Sequence, residues 1–239
     1  MWPFTSKKTL KDSGLFVNFT DWHSHILPGV DDGIATLEEA LEVLKLYEAL
    51  GIKKVWLTPH IMEDYPNETA DLKKKFEELK NSWDGKVEIS LAAENMLDVL
   101  FEKRLENNDL LPMGKDNDHL LVETSYYTPP YGMDDILEKI KKKGYNVILA
   151  HPERYRYMED KEYNVLKEKG ILFQLNFLSL MGVYGESAKK KAEWLLRKGY
   201  VDYLGSDVHR FVNLDSHLSA VSCQKGYLSA LEQIKEVSC

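Results

Sequence analysis

The chain has 239 residues, of which 44% are hydrophobic and 29% charged, and its formal net charge is −8. Because this acidic balance offers no basic face to neutralise phosphates, we expect no general binding to nucleic acid. An anionic substrate is not excluded, since bound divalent cations reverse the local charge.

Short runs rich in β-forming residues alternate along the chain with segments of helical periodicity. In chain order the sequence predicts strand 15–21, helix 36–50, strand 54–58, helix 67–83, strand 87–93, helix 97–107, strand 119–123, helix 134–143, strand 146–150, helix 161–169, strand 171–175, helix 186–198, strand 201–205 and helix 227–237. Thr36 followed by Glu39 predicts a capping box at the start of the first helix, and Gly51 predicts its end. Strands alternating with helices predict an α/β fold with a parallel sheet, open or closed into a barrel.

The length and the lack of a linker-like segment predict a single domain over residues 1–239, with residues 1–14 as an N-terminal extension. Cys223 and Cys239 form no CxxC pair, which argues against a cysteine metal site or a disulfide framework. The N-terminus lacks the apolar run of a signal peptide, and no apolar stretch is long enough to span a bilayer. These features predict a cytoplasmic protein with no membrane span.

Metal-binding and acid–base residue types collect where the predicted strands end. In a parallel barrel the catalytic groups lie at the carboxyl ends of the strands. The residues found there are Asp21, His23, His25, Asp31, Asp32, His60, Glu94, Glu123, His151, Glu153, Arg154, Gln174, Asn176, Asp207 and His209.

The spacing of these residues indicates a metal site. In an extended backbone residues i and i+2 point the same way, so His23 and His25 can present two imidazoles to one cation. Asp207 and His209 can do the same from the opposite side. Nitrogen and oxygen ligands without thiolate suit zinc, manganese or iron. Two or three such ions close together are suited to phosphoryl hydrolysis.

Each of these motifs also has a purely structural interpretation. His119 opens a strand, so we interpret it as structural, and His217 is expected in a polar loop. Residues 31–33 resemble a turn before a helix, and Glu153 could form a salt bridge with either of the arginines that follow it. The aromatic segment 126–131 is expected to be a packed loop. The joint pattern favours the metal site, because charges cluster at strand ends where ligands balance them.

Four segments together resemble a known family. They are DWHSHILPGVDDG at 21–33, TPH at 58–60, HPERY at 151–155 and SDVH at 206–209. The first is similar to the opening motif of the polymerase-and-histidinol-phosphatase (PHP) superfamily. More narrowly, the set resembles the bacterial manganese-dependent protein-tyrosine phosphatases of capsule and exopolysaccharide operons. The resemblance covers roughly residues 16–217, and the first and third segments together are highly specific.

The resemblance implies a distorted seven-stranded (β/α)7 barrel of PHP type and a site for three divalent ions, manganese first, with iron or zinc also accepted. It implies one ligand set of His23, His25, Glu94 and Asp207, a second of Glu94, Glu123 and His151, and a third of Asp32, His60 and His209. Glu94 would bridge two ions.

The resemblance also implies how phosphate is bound and cleaved. Arg154 would bind the phosphate, and hydroxide held by the metals would attack phosphorus in line. Arg154, Asp207 and His209 are therefore the expected catalytic residues. The family usually carries a second phosphate-binding arginine several residues after the DxH motif, which is absent at that spacing here. Arg210 comes earlier and His217 stands near the expected place, so either is a candidate for this contact.

The first function expected is hydrolysis of phosphotyrosine on proteins, with an autophosphorylated bacterial tyrosine kinase of polysaccharide biosynthesis as the partner. One alternative is a histidinol-phosphate-type small-molecule phosphatase with the same metals. The other is a non-catalytic metal-binding barrel that serves as an interaction module. The complete ligand set favours an enzyme over this last alternative.

Overall fold

The computed structural model describes residues 9–220 and 225–237. Cys223, Cys239 and the first eight residues of the expected N-terminal extension lie outside the described residues. The rest of that extension packs on the body of the protein, since Leu10 is buried and Lys11 N donates to Leu218 O at 3.0 Å. No helix in the described ranges has the length and apolarity needed to cross a bilayer.

The described chain alternates strands with helices. The strands are β1 (Thr20–Ser24), β2 (Lys54–Leu57), β3 (His60–Ile61), β4 (Glu88–Leu91), β5 (Glu94–Met96), β6 (His119–Glu123), β7 (Asn146–Ala150), β8 (Leu172–Asn176) and β9 (Tyr203–Gly205). The α-helices are α1 (Leu37–Leu50), α2 (Thr69–Ser82), α3 (Val99–Asn107), α4 (Met133–Lys142), α5 (Asp160–Glu168), α6 (Glu186–Lys198), α7 (Phe211–Ala220) and α8 (Lys225–Val237). Short 3-10 helices follow β7 at Pro152–Arg154 and β8 at Phe177–Met181.

The strands form two parallel sheets. One has the order β1-β2-β4, and the other, which is curled like half a barrel, has the order β3-β5-β6-β7-β8-β9. The predicted α/β class with parallel strands is thereby confirmed. The strands predicted at 54–58 and 87–93 end early, at Leu57 and Leu91, and the short strands β3 and β5 follow beyond the predicted runs. Before β3, Pro59 has no N–H to donate to a ladder. The two sheets stay in contact there, because Glu94 N donates to Pro59 O at 3.1 Å.

The outer edges of the two sheets also meet. Ser24 at the end of β1 forms a parallel bridge with Val208, just after β9. His25 N donates to Val208 O at 3.1 Å, and Asp207 N donates to His23 O at 2.8 Å. These bonds bring the ends of β1 and β9 side by side.

Two sequence predictions of local structure are wrong. Residues 15–19, predicted as the start of a strand, form turns in which Phe16 and Phe19 pack edge to face at 5.7 Å. The strand begins only at Thr20, after Asn18 in left-handed backbone at φ 58°. The loop expected around His217 is helix α7, because Leu214 and Leu218 lie one turn apart and are both buried.

The strands bury side chains on both faces, which is typical of a parallel sheet covered by helices. Val55, Leu57, Val122 and Leu149 belong to the large core shared with the helices. Their neighbours on the opposite face form a smaller inner cluster that includes Trp56, Ala92, Met113, Leu121, Ile148 and Ala150. The carboxyl ends of the strands lie beyond this cluster, and polar residues replace apolar ones there.

Candidate metal centre

The nine predicted metal ligands converge at the carboxyl ends of the strands. They come from β1 and the turn after it, from β3, β5 and β6, and from the residues after β7 and β9. They are His23, His25, Asp32, His60, Glu94, Glu123, His151, Asp207 and His209. All except Asp32 and His209 are buried.

The first predicted ligand set is brought together by β1, β5 and the segment after β9. The Nε2 atoms of His23 and His25 lie 3.1 Å apart. Glu94 Oε2 lies 3.0 Å from the first and 3.2 Å from the second. Asp207 Oδ1 completes the group at 3.6 Å and 3.3 Å from the same nitrogens. Four ligand atoms therefore surround one small space.

Neighbouring acceptors orient the two imidazoles of this set. His23 Nδ1 lies 2.8 Å from Gln174 Oε1, and His25 Nδ1 lies 2.8 Å from Asp31 Oδ2. Because each acceptor takes a proton from Nδ1, each Nε2 presents its lone pair to the other ring. Two lone pairs at this separation repel each other unless a cation or a proton lies between them.

The second predicted set centres on His151. Its Nε2 lies 2.9 Å from Glu94 Oε1 and 3.9 Å from Glu123 Oε2. Glu94 thus faces the first set with one oxygen and His151 with the other. Such a carboxylate can bridge two cations.

The third predicted set lies at the mouth of the centre. Asp32 Oδ1 is 3.5 Å from His60 Nε2 and 3.6 Å from His209 Nε2. His60 also reaches inward, where its Nδ1 lies 2.9 Å from Glu123 Oε1 and 3.2 Å from Glu94 Oε2. This imidazole therefore stands between the second and third sets.

Several buried atoms of the centre have no hydrogen-bond partner. Among the described residues these include His60 Nδ1, Glu94 Oε2 and Glu123 Oε1. They are close to one another but not aligned as hydrogen bonds. Buried charged groups without partners are costly unless a counter-charge is present. The nitrogen and oxygen donors and these unpaired atoms together fit bound divalent cations.

The charges of the centre alter its pKa values. Burial lowers the pKa of His23, but Glu94 and Asp207 more than offset this and raise it to about 9. Burial raises the pKa of both carboxylates, yet the surrounding histidines, His23 first, bring them well below their usual range. Hydrogen bonding from His209 lowers the pKa of Asp32 to about 2. Without cations, a proton on His23 helps to balance these two carboxylates.

Two of the converging residues have left-handed backbone conformations. His151 has φ 31° and Asp207 has φ 54°, although neither is glycine. Such conformations persist only where the surrounding structure enforces them, and they are concentrated at functional sites. Here they turn each side chain inward directly after β7 and β9.

Arg154 is held on three sides beside the centre. Its guanidinium carbon lies 4.6 Å from the Tyr126 ring and 4.5 Å from the Tyr184 ring. One guanidinium nitrogen donates to Asp207 Oδ2 at 2.6 Å, an oxygen that also accepts from Asn176 Nδ2 at 2.8 Å. Asp207 therefore faces the ligand histidines with Oδ1 and Arg154 with Oδ2.

A cavity of about 390 Å³ opens onto the centre. We call it the metal-centre cavity. Several predicted ligands, Arg154 and both candidates for the second phosphate contact line it, and apolar side chains form one wall. The lining includes Asp32, His60, Tyr126, Arg154, Leu178, Val183, Tyr184, Asp207, His209, Arg210, Asn213, Leu214 and His217. An anionic group bound there would lie beside the guanidinium of Arg154 and the converging histidines.

The two candidates for a second phosphate contact both border this cavity. Arg210 directly follows His209, and its guanidinium donates to the carbonyl of Gly33. His217 lies on α7. It is three and four residues after Leu214 and Asn213, so these three side chains share one face of the helix.

Other strand-end residues have supporting positions. Asp31 forms more than a turn, because its Oδ2 contacts His25 and accepts from His60 N at 2.9 Å. Asp21 accepts from Ser206 N at 2.9 Å and from the phenol hydroxyl of Tyr47 at 2.6 Å; the first of these bonds ties β1 to the segment after β9.

The salt bridge considered as an alternative for Glu153 does not form among the described residues. Its Oε1 instead accepts from Ser179 Oγ at 2.7 Å and from Asn176 N at 3.1 Å. Arg154, the next residue in the 3-10 turn at Pro152–Arg154, donates to Asp207 instead. His119 lies at the opposite end of the sheet, where it contacts Asp118 at 2.6 Å and Tyr203 at 3.3 Å, as its structural interpretation requires.

Comparison with known proteins gives a consistent result. The family described as capsular polysaccharide synthesis, CpsB/CapC, matches residues 19–225. The tyrosine-protein phosphatase YwqE of Bacillus subtilis is 27% identical over 203 residues, which cover 82% of this chain and 80% of the relative. The tyrosine-protein phosphatase CpsB of Streptococcus pneumoniae is 28% identical over 207 residues, covering 82% and 84%.

A solved structure shares the fold. It comes from a study of YwqE from Bacillus subtilis and CpsB from Streptococcus pneumoniae, described as unique metal-dependent tyrosine phosphatases. The TM-score is 0.77 at 25% identity, and the match covers 92% of this chain and 88% of that one.

Proposed function

Because the chain belongs to the CpsB/CapC family of capsular polysaccharide synthesis proteins, we propose that it is a metal-dependent phosphatase that hydrolyses phosphotyrosine on proteins. The observation that carries this proposal is the convergence of nine nitrogen and oxygen ligands beside a clamped arginine. Its named relatives are tyrosine-protein phosphatases, which agrees with the proposal.

The proposal includes three divalent cations, with manganese as the first candidate and iron or zinc as alternatives. The distances support the three predicted ligand sets: His23, His25, Glu94 and Asp207; Glu94, Glu123 and His151; and Asp32, His60 and His209. When bound, such ions lower the pKa of water and neutralise phosphate oxygens.

The protein's own residues would bind and orient the phosphate. Arg154 presents a planar guanidinium whose orientation is fixed by two rings and by Asp207. Only one guanidinium nitrogen donates to Asp207. The other N–H groups of Arg154 can therefore donate to phosphate oxygens. Asp207 and His209 would act as metal ligands. Asp207 also positions Arg154, and His209 lines the mouth of the cavity. Arg210 or His217 would supply the second phosphate contact.

We further propose that the two sheets close into the distorted seven-stranded barrel of PHP type. In this arrangement β2 with β3, and β4 with β5, count as two interrupted strands. The bridge between Ser24 and Val208 supports closure. The whole chain, 1–239, would then be one domain, and residues 1–14 its N-terminal extension.

We propose that the physiological partner is an autophosphorylated bacterial tyrosine kinase of polysaccharide biosynthesis. The two proteins would bind each other in the cytoplasm. The capsular family description supports the pathway. The relatives' names do not favour the histidinol-phosphate alternative. The complete set of converging ligands argues against a non-catalytic module.

The decisive test compares two substrates. A phosphotyrosine peptide and histidinol phosphate would be incubated with the chelated protein, the manganese-restored protein and His151→Ala. We expect manganese to restore peptide hydrolysis and His151→Ala to reduce kcat by at least about 100-fold, because it removes a ligand of the centre. His119→Ala, at the far end of the sheet, is the matched control and should keep its activity.

The other outcomes are equally informative. Turnover of histidinol phosphate alone would move the assignment to the small-molecule phosphatase. No turnover of either substrate, despite bound metal, would contradict both enzyme assignments.

A further inference from the structure

A second cavity, of about 630 Å³, lies next to the metal-centre cavity. We call it the flanking cavity. Tyr126, Arg154 and Tyr184 line both cavities. These three side chains therefore separate the two cavities: the arginine is the proposed phosphate contact, and the two tyrosine rings hold it in place. A polypeptide whose phosphotyrosine fills the first cavity has its neighbouring residues beside the second.

Hydrogen bonds fix the surfaces of the flanking cavity. Arg156 N donates to Tyr126 O at 2.7 Å, which joins the loop after β6 to the segment after β7. Lys191, on α6, donates from Nζ to Tyr155 O at 2.6 Å and to Met158 O at 2.7 Å. The cavity is thus built by three chain segments that are tied to one another.

The charges lining the flanking cavity favour an anionic group. Arg156 is exposed and forms no ion pair among the described residues; its guanidinium lies 4.8 Å from the Tyr127 ring. Lys191 Nζ donates to two carbonyl oxygens and forms no ion pair with a carboxylate of the described chain. Two acidic residues also line the cavity. Glu153 is buried and accepts a hydrogen bond from Ser179, and Glu186 is the first residue of α6.

An aromatic surface continues outward from this cavity. Tyr127 is 64% exposed, and Tyr131, on the same loop, is fully exposed. Large aromatic side chains left in water beside a functional cleft indicate a contact surface for another chain. The surface is continuous with the metal-centre cavity through Tyr126.

We propose that the flanking cavity docks the polypeptide next to phosphotyrosine and selects substrates with an acidic side chain beside the phosphorylated residue. This inference rests on the proposed phosphatase function. Arg156 is the principal contact, with Lys191 adding to the positive field and Tyr127 packing against the peptide.

The test uses the manganese-loaded full chain, as wild type and as Arg156→Glu. The substrates are phosphotyrosine peptides flanked on both sides by Glu, Gln or Lys, together with phenyl phosphate. We expect the wild-type KM to be about three- to fivefold lower for the Glu peptide than for the Gln peptide, as one exposed charge pair allows. Arg156→Glu should reverse this order and favour the Lys peptide. Its kcat/KM for phenyl phosphate should stay within about twofold of wild type, because that substrate does not reach the flanking cavity.

Lys142→Glu is the matched control, since it makes the same charge change at the exposed end of α4, towards the opposite end of the sheet. It should keep the wild-type order of KM values. Equal KM values for the Glu and Gln peptides, with normal turnover of phenyl phosphate, would overturn the docking inference alone. An unchanged order in Arg156→Glu would also overturn it. Failure to hydrolyse phenyl phosphate would contradict the proposed function and this inference together.

Discussion

At the scale of single residues, the centre is held by a chain of side-chain hydrogen bonds. His23 contacts Gln174, which donates to Asn176 Oδ1 at 2.9 Å, and Asn176 in turn donates to Asp207. The first and last members belong to the same proposed ligand set. These bonds therefore orient both His23 and Asp207 before any cation binds.

Arg154 depends on similar support from Tyr184. Replacing Tyr184 with Leu removes one of the two rings that hold the guanidinium. We expect KM for phenyl phosphate to rise about three- to tenfold, as a partly desolvated cation–π contact predicts, with little change in kcat or bound metal. Tyr184→Phe keeps the ring and should restore KM. Steady-state kinetics and metal analysis would measure these quantities.

Two further variants distinguish loss of the contact with Arg154 from a general effect of losing a packed tyrosine. Tyr145→Leu changes the same side chain at the α4–β7 junction and should leave KM unaltered. If Tyr184→Phe were as impaired as Tyr184→Leu, the phenol oxygen and not the ring face would be responsible.

At the scale of elements, β9 must pass very close to β1. A Cβ added at Gly205 would lie 2.6 Å from both His23 Cβ and Gln174 Nε2. We expect Gly205→Ala to lower the free energy of unfolding by about 1–3 kcal/mol, the usual cost of overpacking. It should also weaken metal binding, because His23 must move. Chemical denaturation and metal titration would test both effects.

Gly226 supplies the control for this substitution. It lies in α8, where an added Cβ would meet no atom within 4 Å. Gly226→Ala should therefore keep or increase stability, since alanine favours helices. Equal metal affinity in Gly205→Ala and wild type would contradict the close-packing argument.

The elements also show which features the sequence could predict. Strands β6 and β7 match their predicted bounds, because each is a short apolar run that begins after turn-forming residues. The short strand β3 and helix α7 were not predicted. Both depend on contacts with distant segments, such as the burial of Leu214, which no local pattern records.

The candidate site follows the same division. Its nine expected ligands are predicted from their spacing and from the family resemblance, and the fold brings these side chains close together. Tyr184 and Asn213 acquired their positions only through folding, and Gln174, although noted at a strand end, was not expected to contact His23. Tyr184 follows no strand directly and belongs to no motif, so no sequence pattern indicated its contact with Arg154.

At the scale of the whole molecule, the proposed cations would join segments far apart in the sequence. The first ligand set spans β1, β5 and the residues after β9. Bound metal therefore stabilises the folded chain by mass action. An excess of about 100 times Kd corresponds to about 2.7 kcal/mol, or a rise in Tm of roughly 5–10 °C for a chain of this size.

This stabilisation should depend on pH. The folded-state pKa of His23, about 9 in the absence of metal, lies above its ordinary value of 6.5. Its protonation therefore stabilises the metal-free fold fully below pH 6.5, and this contribution, on the order of 3 kcal/mol, is lost as pH rises through 9. Metal must displace the same proton, so binding strengthens over the same window. The Tm difference between manganese-loaded and chelated protein should widen from pH 6.5 to 9.

Scanning calorimetry of both forms across this range would measure the difference. His23→Gln is the informative variant, because its amide does not titrate and occupies a similar volume. We expect its metal-free form to lose less stability between pH 6.5 and 9 than wild type does. A Tm difference that stayed constant with pH in the wild type would mean that no proton leaves the centre when metal binds. The carboxylates would then face neutral imidazoles in the metal-free protein, and the inferred charge balance of the centre would be wrong.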